Sequence, residues 1–344
     1  MNLRIGISAG VPDAEQVGYV QEAERLGADS VWTAEAWTYD ALTPLAYYAA
    51  RTETIRLGSG IVQLGARTPA NLAMTALALR AMSGGRFLLG VGTSGPQVME
   101  GWHGVRFDRP VTRTRETIEI LRAVTSGEKV AYDGAVYTLP LPGGQGVPIR
   151  SRLPATHIPV YVAALGPRNL RLTGELADGW IGNTFFPETA DVFFGPIAEG
   201  AAAAGRTLAD LDLTVAASVE FTDDVEEAGR RHADGYAFTI GAMGSATTNF
   251  YNDAFARQGY ADDVAEVQRL WRAGDRAGAA ARVPTAIGLG TNLIGPDAVV
   301  RERLRRYRDA GVRTIRANPA GATAAERLAT LGRLMDLVRT VNAE

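Results

Sequence analysis

Hydrophobic and polar positions along the chain follow two alternating periods. Short runs of apolar and β-branched residues are followed by segments in which apolar side chains recur every three or four residues. The first pattern predicts a buried strand and the second an amphipathic helix. The run at residues 3–7 precedes a helical pattern at 13–26, and the run at 29–33 precedes one that contains Leu42 and Leu45. Strands that alternate with helices predict βαβ units and a parallel sheet.

Eight strands are predicted in this way. They cover residues 3–7, 29–33, 55–61, 86–91, 159–163, 179–181, 211–219 and 312–315. We therefore expect a (β/α)8 TIM barrel in one domain over residues 1–344, with loop insertions near 127–157 and 241–286. The first insertion contains the hairpin-like VAYDGAVYTL, and the second is mostly helical. A doubly wound open sheet is the alternative, but no G-x-G-x-x-G follows the first strand.

Composition limits the kinds of partner. The 344 residues are 46% hydrophobic and 21% charged with a net charge of -3, which gives no basic surface for nucleic acid. No apolar run is long enough to span a membrane, and MNLRIGIS predicts a strand rather than a signal peptide. Cysteine is absent, which excludes disulfides and thiolate zinc sites. We expect a cytoplasmic enzyme without a metal, acting on a small molecule.

Several common chemistries lack a motif. The sequence has no H-E-x-x-H, G-x-S-x-G or Walker pattern, so metalloprotease, esterase and P-loop functions are unsupported. Three histidines are present. His232 lies in a charged helical pattern and His157 in a loop, whereas His103, in EGWHG after the fourth strand, is placed to contact a substrate. A structural role is the alternative for His103.

Loops rich in small residues follow successive strands. In a barrel, the active site is built by the loops that follow the strands. TAEAWTYD, which offers Glu35 and Trp37, follows the second strand; GSGIVQLGART, GTSGPQVMEGWHG and AALGPRNL follow the next three. A turn explains any one of these glycines, but three such loops favour a site where a flat ring or a phosphate approaches the backbone closely.

Three segments together resemble a known family. GRFLLGVGTSGPQVMEGWHG, AALGPRNLRLTGELADGW and GAMGSATTNFYN are similar to segments of the luciferase-like superfamily of flavin and deazaflavin barrels. They are more closely similar to its oxidoreductases that use coenzyme F420, relatives of methylenetetrahydromethanopterin reductase. The resemblance covers nearly the whole chain. It implies a barrel, hydride transfer at the deazaflavin C5, and a homodimer.

The resemblance assigns nine residues to cofactor binding. Two would form a bulge after the third strand, often with a cis peptide bond, that supports the ring. Three match a loop that contacts the tail phosphate, and four match a second loop whose following helix would present N–H groups to an anion. In that order they are Gly60 and Ile61; Thr93, Ser94 and Gly95; and Ala163, Ala164, Gly166 and Pro167.

The chain also departs from some relatives. Glu35 stands where sugar-phosphate and alcohol-oxidising relatives have a histidine, and Pro96 and Gln97 stand where the sugar-phosphate relatives have an acid. These departures argue against a sugar or an alcohol as the substrate.

Glu35 is the candidate for proton transfer. A carboxyl group near the ring and bordered by two tryptophans would be poorly solvated and suited to exchange a proton. The alternative is an ion pair with an arginine such as Arg67. Trp37, Trp102 and His103 are expected to shape the substrate pocket, or otherwise to pack at the mouth of the barrel.

Two other functions stay open beside an F420-dependent oxidoreductase. One is an FMN-dependent luciferase-like monooxygenase on the same barrel, which would consume oxygen. The other is a deazaflavin-binding protein without catalysis. The absorbance of the bound cofactor distinguishes FMN from a deazaflavin.

Overall fold

A closed barrel of eight parallel strands forms the centre of the protein, whose computed structural model describes residues 2–244 and 249–344. The SATT portion of GAMGSATTNFYN lies outside the described residues. The strands are β1 (Arg4–Ser8), β2 (Ser30–Thr33), β3 (Arg56–Ser59), β4 (Val62–Gln63), β5 (Phe87–Gly92), β6 (Tyr132–Asp133), β7 (Thr138–Leu139), β8 (Val160–Ala163), β9 (Gly179–Gly182), β10 (Asp212–Glu220), β11 (Leu293–Ile294) and β12 (Thr314–Pro319).

The barrel closes because each strand pairs in parallel with the next one around the ring. Its strands follow one another as β1, β2, β3, β5, β8, β9, β10 and β12, and β12 pairs again with β1. The short strand β4 continues the edge of β3 and pairs with β5, while β11 pairs with β10. Because all eight strands run the same way, the loops that follow them lie at one end of the barrel.

Helices surround the barrel and cover its outer face. They are α1 (Ala14–Arg25), α2 (Leu42–Ala49), α3 (Pro69–Met82), α4 (Pro96–Gly101), α5 (Pro110–Thr125), α6 (Pro167–Leu176), α7 (Asp191–Ala203), α8 (Val225–Arg230), α9 (Ala233–Ala242), α10 (Phe250–Phe255), α11 (Ala261–Arg272), α12 (Arg276–Arg282), α13 (Thr285–Gly290), α14 (Asp297–Ala310) and α15 (Ala324–Ala343). Side-chain caps start several of them: the Asp13 carboxylate accepts the Gln16 N–H at the start of α1.

The eight predicted strands are confirmed, and the largest errors lie at their ends. The third predicted strand, 55–61, breaks after Ser59 into a bulge and resumes as β4. The last predicted strand, 312–315, is displaced: β12 begins at Thr314 and continues to Pro319. The predicted strand ends at Ile315, one residue before Arg316. In the structure Arg316 is a buried strand residue.

The loop between α5 and β8 contains the hairpin of β6 and β7. The buried Glu116 carboxylate on α5 accepts backbone N–H groups from Ala135, Val136 and Tyr137 at 2.7, 3.0 and 2.8 Å. One carboxylate thus holds the hairpin turn against the barrel, because it satisfies three donors together. Between β10 and β11 the chain forms α8 to α13.

The two ends of the barrel interior differ in chemistry. At the N-terminal end, Arg4 pairs with Asp212 at 2.5 Å, and the Tyr161 hydroxyl donates to the same carboxylate at 3.0 Å. Above them Trp32, Leu88 and further apolar side chains fill the centre. A ligand would therefore reach the barrel from the opposite, C-terminal end. No helix in the described parts of the chain has the length and apolar character to cross a membrane.

Candidate active site

A bulge after β3 faces the open end of the barrel. Its Gly60–Ile61 peptide bond is cis, as expected. The Gly60 N–H donates to the Thr33 carbonyl at 2.7 Å, and the Glu35 N–H donates to the Ile61 carbonyl at 3.4 Å. The bulge is thus tied on both sides to the end of β2.

Two glycines of β5 allow that strand to approach the bulge. A Cβ on Gly90 would lie 1.9 Å from the Ser59 carbonyl oxygen, which no side chain can tolerate. A Cβ on Gly92 would lie 3.1 Å from Ile61 Cδ1. The bare backbone of β5 is therefore required for the bulge to sit where it does.

Three of the predicted loops meet beside this bulge. Gln63 of β4 is paired in register with Gly92 of β5, and Gly92 with Ala163 of β8. The predicted phosphate loop at 93–95 and the second predicted cofactor loop at 163–167 begin at these paired positions. The structure thus brings the predicted cofactor residues together along one edge of the barrel mouth.

The loop at 93–95 presents unpaired donors. Ser94 has φ of 57°, in the left-handed region that non-glycine residues rarely adopt. Within residues 2–244 and 249–344, the backbone N–H groups of Thr93, Ser94 and Gly95 have no hydrogen-bond partner. Half-buried N–H groups without a protein partner form a suitable environment for an anion.

The second loop ends at the N-terminus of α6. Gly166 precedes the helix and Pro167 is its first residue, so the N–H groups of Arg168 and Asn169 point outward from the first turn. The Asn169 side-chain oxygen is buried without a partner, and Arg168 is exposed without a partner in the described regions. Ala164 is buried, and its carbonyl accepts the Trp180 indole N–H at 2.9 Å.

Glu35 is held by three donors. Its Oε1 accepts from Arg67 Nη1 at 2.7 Å and from the Gln63 backbone N–H at 2.9 Å, and its Oε2 accepts the Ala41 N–H at 3.2 Å. The side chain is 8% exposed. These contacts describe a carboxyl group that fixes the loop after β2. They favour the ion-pair alternative over the proton-transfer hypothesis.

His103 is connected to the same loop through Gln63. Gln63 Nε2 donates to the carbonyls of Glu35 and Ala36 at 3.3 and 3.1 Å, so its Oε1 is an acceptor. His103 Nε2 lies 2.6 Å from that oxygen and must therefore carry a hydrogen. In the neutral imidazole this makes Nδ1 an acceptor, and it has no partner within the part of the chain that the structure describes. Gln63 lies within GSGIVQLGART, but no local pattern indicates this positioning role.

Trp37 lies at the rim of a cavity of about 350 Å³ and is 48% exposed. The cavity opens where β9, β10 and β12 end, and hydroxyl, amide and aromatic groups line it. Trp102 is 65% exposed, which leaves its predicted role in the pocket open. The lining residues include Asn183, Ser218, Tyr236, Tyr251, Asn292 and Asn318, none of which the sequence analysis identified.

The two remaining histidines take no part in the contacts described above. His157 Nε2 contacts Asp178 at 3.3 Å, and Asp178 accepts the Val160 N–H at the start of β8. His232 lies before α9, and burial lowers the pKa of its imidazole.

Comparison with known proteins agrees with this geometry. The sequence profile of the family described as luciferase-like monooxygenase matches residues 3–314. The chain belongs to the luciferase-like family. A Mycobacterium tuberculosis protein provisionally named as a coenzyme F420-dependent oxidoreductase is 38% identical over 340 residues, covering 96% of this chain and 98% of that protein.

Other members of the luciferase-like family match over similar lengths. The 5,10-methylenetetrahydromethanopterin reductase of Archaeoglobus fulgidus is 30% identical over 326 residues, with 92% of each chain covered. The solved structure of the F420-dependent tetrahydromethanopterin reductase from Methanopyrus kandleri superposes with a TM-score of 0.79 at 23% identity, covering 96% of this chain and 98% of that one. The barrel and the family expected from the sequence are thus confirmed.

Proposed function

We propose that this protein is a coenzyme F420-dependent oxidoreductase that transfers a hydride between the deazaflavin C5 and a small organic substrate. The observation that carries the proposal is the position of the Gly60–Ile61 bulge. Ile61 adjoins Gly92, where the 93–95 loop begins, and Gly60 adjoins Arg316, which lies near Tyr251 of the cavity. A ring resting on the bulge would have an anion site on one side and the cavity on the other.

The residues present fit a cofactor with an anionic tail. The unpaired N–H groups at 93–95 and the first turn of α6 would hold a phosphate, and Arg168 would add a positive charge beside it. Gly92 and Ala163 lie in register on neighbouring strands, beside the surface on which a flat ring would rest. Gly60 and Ile61 would support that ring. When bound, the deazaflavin would supply the carbon that gives or accepts the hydride.

We infer that His103, rather than Glu35, exchanges the proton. Glu35 is occupied by Arg67 and two N–H groups, whereas His103 keeps a ring nitrogen free after its contact with Gln63. Gln63 also contacts Ala36, which lines the cavity. Gln63 thus connects His103 to the wall of the cavity, and imidazole is suited to proton transfer near neutral pH.

Side-by-side titrations of coenzyme F420 and FMN test the proposal. We expect tighter binding of coenzyme F420, followed by turnover with some acceptor in a screen that monitors the absorbance of the reduced cofactor. Tighter binding of FMN with oxygen consumption would replace the proposal by the monooxygenase function. Tight F420 binding without turnover of any acceptor would favour a binding protein. The homodimer and the cytoplasmic location stay predictions.

A further inference from the structure

Arg316 is a charged residue in the interior of the barrel mouth. It lies on β12, in register with Gly6 of β1 on one side and Ala216 of β10 on the other. Only 7% of the residue is exposed. Its guanidinium extends to the bulge, because a Cβ on Gly60 would lie 2.8 Å from Arg316 Nη1.

The guanidinium of Arg316 has no counter-ion in the described parts of the chain. Among residues 2–244 and 249–344, no hydrogen bond or ion pair reaches this side chain, and its Nε is buried without a partner. Other arginines near the barrel are paired: Arg56 forms an ion pair with Asp29, and Arg86 donates to backbone and hydroxyl oxygens around residues 49–55. The fold therefore satisfies these two arginines, whereas the guanidinium of Arg316 has no hydrogen-bond or ion-pair partner among the described residues.

The side chain stays charged despite its burial. Desolvation lowers the pKa of Arg316 to about 10, and the neighbouring Tyr251 counteracts this only in part. The guanidinium carbon lies 5.7 Å from the Trp32 ring, a cation–π contact at the edge of the useful range. A buried charge without pairing destabilises a protein, so we expect an external group to compensate it.

The cavity next to Arg316 suits a negatively charged group. Ala216, the register partner of Arg316, and Tyr251 both line the cavity. Among the described residues, no aspartate or glutamate belongs to the lining. Asn183 and Asn318 supply neutral amides there. An anion in this space would find one positive charge and several donors, and no repelling carboxylate.

We propose that Arg316 binds an anionic oxygen of the group that occupies the cavity, in the manner of a guanidinium that binds a carboxylate. The oxygen belongs either to the substrate, as a carboxylate, or to the ring system of the cofactor. The inference rests on the proposed function and deepens it. If the oxygen belongs to the substrate, the substrate is an anionic compound. The first test of the inference involves no cofactor and can fail independently of that function.

Titration calorimetry of the full chain with benzoate and with its neutral analogue benzamide, at matched ionic strength, is the first test. We expect benzoate to bind at least tenfold more tightly than benzamide. Arg316→Met should abolish this preference, and Arg316→Lys should keep part of it. Arg25→Met, the same substitution at an exposed arginine, is the control and should keep all of it. Equal affinities in the parent protein, or a preference that survives Arg316→Met, would overturn the proposal.

Thermal unfolding without ligand is the second test. The proposal and a purely structural role of Arg316 predict changes in Tm of opposite sign. We expect Arg316→Met to raise the Tm, because an uncompensated charge is replaced by an apolar side chain of similar length. A lowered Tm in a variant that keeps the circular dichroism spectrum of the parent would indicate a structural role and count against the proposal. If the variant does not fold, the comparison of benzoate and benzamide in the parent and in Arg316→Lys decides.

Repeating the titration with coenzyme F420 bound distinguishes the two sources. A preference for benzoate that persists in the F420 complex assigns the anion to the substrate. A preference that disappears in the complex, together with at least tenfold weaker F420 binding by Arg316→Met, assigns it to the ring. Both outcomes presuppose that the protein without cofactor binds benzoate more tightly than benzamide. Either outcome supports an anion site at Arg316.

Discussion

Replacing Glu35 by glutamine separates a structural carboxylate from a catalytic one. Glutamine keeps the shape of the side chain but removes the charge and offers one acceptor oxygen instead of two. Glu35 accepts from Arg67 and the Gln63 N–H at one oxygen and from the Ala41 N–H at the other. Whichever way the amide is oriented, its NH2 group faces an N–H donor.

The expected loss of stability follows from those contacts. A hydrogen bond to a charged group contributes about 1.5–3 kcal/mol, and a buried donor left without a partner costs about 1–3 kcal/mol. We therefore expect Glu35→Gln to lower the free energy of unfolding by about 3 kcal/mol. From the usual unfolding entropy per residue, this corresponds to a decrease in Tm of about 4 °C for a chain of this length.

The assay compares Glu35→Gln, Arg67→Met and the double variant by thermal unfolding and by turnover with an acceptor found in the screen. The two residues form one ion pair, so the decreases in Tm should not add in the double variant. Glu22→Gln, which breaks the exposed Glu22–Arg25 pair, is the matched control and should change stability by no more than about 0.5 kcal/mol.

Turnover decides between the two roles of Glu35. If Glu35 is structural, kcat should fall less than about tenfold and the pH profile should keep its shape. A general acid or base would instead lose about 10²–10⁴-fold. A loss of that size in Glu35→Gln with an unchanged Tm, and normal turnover by Arg67→Met, would refute the structural role argued from the contacts.

Three further outcomes are expected. Gly90→Ala should prevent the native fold, seen as loss of soluble protein, because its Cβ would overlap the Ser59 carbonyl oxygen; Gly195→Ala, which has open space, should leave Tm unchanged or slightly raised. Ser94→Asp should weaken F420 binding by about 1–3 kcal/mol in titrations, because a carboxylate would face the tail phosphate, and unchanged affinity would exclude this loop. His103→Gln should remove one ionisation from the pH profile of kcat, and an unaltered profile would exclude His103 as the proton carrier.

The sequence by itself determined the architecture. Short apolar runs that alternate with helical patterns located the eight strands. This was possible because the spacing of apolar side chains is a local property of each segment. The small residues of the loops at 60–61, 93–95 and 163–167 indicated a close approach to the backbone, and resemblance identified the family. These features can be read from neighbouring residues, since each depends on a short stretch of chain.

Only the tertiary structure decided how the chemical groups are used. Glu35 became one member of an ion pair because Arg67 and Gln63, from the segment after β3, fold back onto the loop after β2. Arg316 lies just beyond the predicted end of the last strand, yet β12 carries it into the barrel beside Gly60. Whether a charged side chain has a partner depends on residues distant in sequence, and local pattern contains no information about them.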